Sequence, residues 1–123
     1  MITSEEALRK FTIGDPAFCR AVLAAEADDP NDRLDARSVA LLRLGASIRA
    51  GSGGPTLQQR VGDALGAGLS FDEIVACLTA LAPTVGIERV VAVAPDLARA
   101  LGYDIDAALE RLDDAPTPET QAR

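Results

Sequence analysis

The stretch that most constrains the fold is residues 51–73, GSGGPTLQQRVGDALGAGLSFDE. Gly51, Ser52, Gly53 and Gly54 resist helix, because glycine loses the most backbone freedom on being fixed. Pro55 suits a first helical position, where its missing N–H would have no partner anyway. Leu57, Val61, Ala64 and Leu65 follow at i, i+4, i+7 and i+8, an apolar helical stripe. Gly68 stands where a left-handed C-terminal cap belongs. Ser70 and Glu73 then make an S-x-x-E capping box that opens the next helix. The segment predicts a helical hairpin around which the rest of the chain can pack.

Composition supports helices rather than a sheet. Apolar residues make up 48% of the 123 positions but aromatics only 3%. The apolar set is mostly Ala, Leu and Val, which favours close helix contacts over aromatic and β-branched strands. The length suits one domain able to bury its own core.

Read in order, Ser4 predicts an N-cap for a short helix over 5–11, with Gly14 as its stop. Asp15-Pro16 predicts a second start, for a helix to about residue 26. Residues 27–33, ADDPNDR, read as a linker. Asp35 caps a helix to Ala50 that is apolar on nearly every side (Val39, Ala40, Leu41, Leu42, Leu44, Ala46, Ile48) and is therefore expected to be buried all round. Such burial is easier if a second subunit covers one face. After the hairpin, a helix over 71–82 is expected to end or restart at Pro83, and another over 84–94 to break at Pro95. Asp104 caps a last helix over 105–112. The expectation is an all-α protein of about six helices, a single domain over 1–112, followed by a frayed tail over 113–123.

No stretch nears twenty apolar residues, and Glu5, Glu6, Arg9 and Lys10 interrupt the start, so the chain reads as soluble, cytoplasmic and free of a signal peptide. A net charge of −7 argues against nucleic acid as a partner. The chain has no histidine. A Ser-His-Asp or Cys-His nucleophile is therefore impossible within one chain, and the usual zinc sites lack their ligands. No metal and no cofactor is expected. Cys19 and Cys77, far apart, read as buried free thiols.

The central segment resembles the carboxymuconolactone decarboxylase family, which includes the alkylhydroperoxidase D-like proteins. The similarity runs over residues 34–101: LDARSVALLRLGAS, the hairpin itself with AGLSFDEIVACLTALAP, then VGIERVVAVAPDLARAL. It implies an alkylhydroperoxidase D-like helical bundle with a central helical hairpin, assembled as a trimer or hexamer. In redox-active members the hairpin opens with C-x-x-C, followed by a His four residues after the second Cys. Counting back from Gly68 places Gly53 and Thr56 at the two cysteines and Arg60 at the histidine. The Glu of the proton relay falls on Ala40 or Leu41. Thiol peroxidase chemistry therefore has none of its groups here. The decarboxylase branch also lacks C-x-x-C, and its substrate is a small lactone bearing carboxylates.

Arginine suits such a substrate, since its planar fork binds a carboxylate through two parallel hydrogen bonds. The candidate ligand-binding residues are Arg43, Thr56, Gln59 and Arg60, in a pocket between the Arg43 helix and the Arg60 helix. Loss of CO₂ leaves a carbanion that needs a proton, and Asp63, Glu88, Tyr103 or water are the donors at hand. Arg60 and Asp63 are the candidate catalytic pair. Arg60 reads equally as an ion-paired helix residue, and Arg43 as half of a structural ion pair. Arg89, in V-G-I-E-R, reads as an interface or pocket residue. Gly53 and Gly54 before Pro55 offer an anion cradle of backbone N–H groups. Two functions stay open: a cofactor-free lyase acting on a small anionic metabolite, or a non-catalytic homo-oligomer that keeps the scaffold and binds a ligand or a protein.

Overall fold

The computed structural model describes residues 2–24 and 33–113. The linker read over 27–33 lies outside them except for Arg33, and the tail read over 113–123 except for Asp113. Seven helices occupy the described residues, with no strand among them: α1 Ser4–Ile13, α2 Pro16–Ala24, α3 Ala36–Ala50, α4 Gly54–Gly66, α5 Phe71–Val85, α6 Ile87–Ala100 and α7 Ile105–Asp113. The chain divides into two compact units, residues 1–39 and 40–123.

The helix starts follow from side-chain caps. The Ser70 hydroxyl accepts from the Glu73 N–H at 3.1 Å, and the Glu73 carboxylate accepts from the Ser70 N–H at 3.0 Å. This is the capping box read from S-x-x-E. Asp15, Asp35 and Asp104 each accept from the N–H three residues on, at 2.9, 2.7 and 3.0 Å. At α1 the cap is Thr3 rather than Ser4: its hydroxyl accepts from the Glu6 N–H at 3.1 Å. Thr3 wins because Glu6 then falls at the third helical position and closes a box, which Ser4 does not offer.

The stops use glycine as read. Gly68 has φ +92°. The Leu69 N–H reaches the Ala64 carbonyl and the Gly68 N–H reaches the Leu65 carbonyl, each at 3.0 Å. These two bonds are a Schellman ending, and Leu69 and Ala64 are both buried in the core beside it. α3 ends the same way: Gly51 has φ +73°, with Ser52 N–H on the Ser47 carbonyl at 3.1 Å and Gly51 N–H on the Ile48 carbonyl at 3.2 Å.

Both proline expectations need correction. α5 runs through Pro83 to Val85, and α6 runs through Pro95 to Ala100. Each proline deletes one backbone bond, to the carbonyl four residues earlier. Pro95 and Val91 are both exposed, so that freed carbonyl lies on a wet face. Pro83 lies in the last turn of α5, where little helix remains to be disrupted. The junction between the two helices is Gly86 alone, with φ +94°.

In the unit of residues 40–123, one core joins α3, α4, α5 and α6. Leu44, Ile48, Leu57, Val61, Ile74 and Leu97 are its largest fully buried side chains. Each is worth about 1.5–3 kcal/mol of transfer free energy. Ala40, Ala64, Leu69 and Val93 complete it, and Cys77, Leu78, Leu81 and Leu101 pack at its margin. The α3 expectation is met on one side only. Ala40, Leu44, Ser47 and Ile48 are buried, at i, i+4, i+7 and i+8, whereas Leu42 is 61% exposed and Leu41 37%. Among the described residues, one face of that helix is covered by the core and the face with Leu41 and Leu42 is not.

In the unit of residues 1–39, α1 and α2 pair through Phe11 and Phe18, with ring centroids 4.8 Å apart and edge to face. Lys10 sits 5.7 Å above the Phe18 ring. Neither helix has a fully buried residue. Among the described residues no helix is long and apolar enough to cross a membrane.

Candidate functional site

Four of the residues singled out above come from α4. Its buried stripe, Leu57, Val61 and Ala64, fixes the roll of the helix against the core. Helical spacing then sets Thr56, Gln59, Arg60 and Asp63 on an adjoining arc, at i, i+3, i+4 and i+7. Thr56, Gln59 and Asp63 are exposed, and Arg60 is half-buried at the edge of the stripe.

Arg60 and Asp63 meet. Arg60 Nη1 lies 3.6 Å from Asp63 Oδ2, with the two side chains 33% and 52% exposed. The distance allows an ion pair but is long for a direct hydrogen bond. At this exposure, an i,i+3 pair contributes only about 0.2–0.5 kcal/mol. Arg60 is therefore a cation held in place by its helix and only weakly claimed by its partner.

Arg43 sits on α3, half-buried and engaged rather than free. Its neighbour Leu44 lies in the same core as Leu57 and Val61. Of the other proton donors considered, Glu88 is exposed near the start of α6. Tyr103, in the α6–α7 turn, has its ring 6.1 Å from that of Phe71.

The start of α4 adds a second electropositive feature. Its N-cap is Gly53, extended, with no side-chain hydrogen bond capping the helix. Exposed first-turn N–H groups carry the positive end of the helix dipole. Close to this turn, the guanidinium of Arg89 lies against the backbone of Gly51: a Cβ on Gly51 would collide with its Nη1 and stand 3.1 Å from its Cζ. Arg89, expected at an interface or in a pocket, makes this contact, which its position in V-G-I-E-R does not announce. The two residues are far apart in the chain, and only tertiary packing, with α6 against α4, brings them together. The one available hint was a glycine required at position 51.

Cys77 lies half-buried on α5, and burial pushes its thiol above the ordinary range. That is the opposite of what a reactive thiolate needs. The Asp35 carboxyl is held below its usual range, first by the Ser38 backbone N–H and then by the Ser38 side chain. Its role is to cap α3. Among the described residues no group of three or more Cys, Asp or Glu side chains is gathered to hold a metal.

Chemically, the α4 arc offers one permanent cation, one carboxylate beside it, and two neutral hydrogen-bonding side chains. Such a set can bind a small anion and exchange a proton with it. No family model, no curated protein and no solved structure matches this chain.

Proposed function

We propose that this chain is a cofactor-free protein similar to carboxymuconolactone decarboxylase, acting on a small carboxylated lactone or related metabolite at the α4 arc. The observation that supports this reading is the Arg60–Asp63 pair at 3.6 Å, with Thr56 and Gln59 on the same arc. A substrate carboxylate takes the place of Asp63 at the Arg60 fork, and Thr56 and Gln59 hydrogen-bond its other oxygens. In decarboxylation the bond between the ring carbon and the departing carboxylate breaks. Its electron pair stays on the ring as an enolate, and CO₂ leaves. Arg60 stabilises the enolate charge. The ring carbon then takes a proton from Asp63, or from water beside it, and solvent restores that proton.

The long, partly exposed ion pair also favours a second reading, a non-catalytic scaffold in which Arg60 and Asp63 only decorate a helix. Both readings include a cytoplasmic homo-oligomer, a trimer or hexamer, supported by the exposed Leu41 and Leu42 on α3. Neither involves nucleic acid, given the net charge of −7.

Isothermal titration against a panel of muconolactone-like dicarboxylic acids, with CO₂ release measured alongside, separates them. The lyase reading expects binding by the wild type. In Arg60→Ala, affinity is expected to fall by about 2–5 kcal/mol. No binding by the wild type to any member of the panel leaves the scaffold reading standing.

A further inference from the structure

We draw no further inference here: the strongest candidate, the exposed apolar surface of the α1–α2 pair formed by Leu8, Phe11, Ile13, Val22 and Leu23, carries nothing because nothing in the structure shows what covers it.

Discussion

Replacing Gly51 by alanine tests how the corner between α3 and α4 is held. Two separate costs apply. The first is conformational: residue 51 has φ +73°, and an L-residue in the left-handed region costs about 1–2 kcal/mol. The second is steric, because the new Cβ meets the Arg89 guanidinium. That group is the far end of a flexible side chain, so it swings aside rather than forcing the helices apart. Overpacking of this kind costs about 1 kcal/mol, at the low end of its range. Gly51→Ala is therefore expected to lose about 2–3 kcal/mol in all. With a urea dependence of about 1–3 kcal/mol/M for a small protein, the midpoint falls by roughly 0.7–3 M. The second background is Arg89→Ala. There only the conformational cost remains, so Gly51→Ala loses about 1–2 kcal/mol, and the two sites couple by about 1 kcal/mol. Urea unfolding followed by far-UV circular dichroism, at one fixed protein concentration, reads all four corners of the cycle. Equal costs in the two backgrounds, within about 0.3–0.5 kcal/mol, would refute the contact between Arg89 and Gly51. A total cost below about 0.5 kcal/mol would refute the need for glycine as well.

Gly62 lies exposed inside α4 with open space where a Cβ would go, so Gly62→Ala is expected to raise stability by about 0.5–1 kcal/mol in the same assay. Because the Asp35 carboxyl is held below its usual range, its cap contributes above the unfolded-state value of about 3.9 and is lost as pH falls through the lower folded value. Asp35→Ala should thus lower the melting temperature at neutral pH, with the gap to wild type closing in strong acid; a gap that persists there contradicts the assignment. The Cys77 thiol is raised by burial, so in a Cys19→Ser background its alkylation by iodoacetamide should be slower than that of free cysteine and rise only at higher pH. The same raised value makes stability fall as pH climbs past the unfolded thiol value of about 8.5. Changing both cysteines to serine should leave any native turnover intact, and loss of a peroxide activity on that change would show that the thiols had been misread. Light scattering at micromolar concentration is expected to report a trimer or larger, and a clean monomer would remove the support that Leu41 and Leu42 give to assembly.

What was legible in the sequence was local. Asp15, Asp35, Ser70 and Asp104 announce helix starts because a short polar side chain reaches an N–H three residues on. Gly51 and Gly68 announce stops because a left-handed residue is needed there. These are interactions within six residues, and the all-α class follows from them. The prolines misled because the reading charged each with a full break. The actual loss is one hydrogen bond, tolerable near the end of α5 and on the wet side of α6. The pairing of Arg60 with Asp63 was legible for the same reason as the caps, being an i,i+3 relation on one helix. The seating of Arg89 on Gly51 was not, since it depends on how α6 packs. The one-sided burial of α3 was hidden as well. Its sequence is apolar nearly all round, and only the set of neighbours decides which residues are covered.

The question left to chemistry is whether Asp63 blocks Arg60 or serves it. An imidazole exchanges a proton near neutral pH, whereas a guanidinium stays charged throughout. Arg60 can therefore attract and hold negative charge at the position that the resemblance aligns with histidine, but it cannot relay a proton. The lyase reading gives that task to Asp63, the carboxylate 3.6 Å away. Magnitudes decide how the two share the site. Opening the exposed pair costs about 0.2–0.5 kcal/mol. On the proposed reading, a ligand carboxylate that takes the same fork has only that small cost to overcome. A pair that weak leaves Arg60 open to an anionic ligand on the proposed reading. On that reading the displaced carboxylate stays within one helical turn of Arg60, because both residues are on α4. On the proposed lyase reading, binding an anion therefore opens the Arg60–Asp63 pair and leaves both side chains beside the ligand.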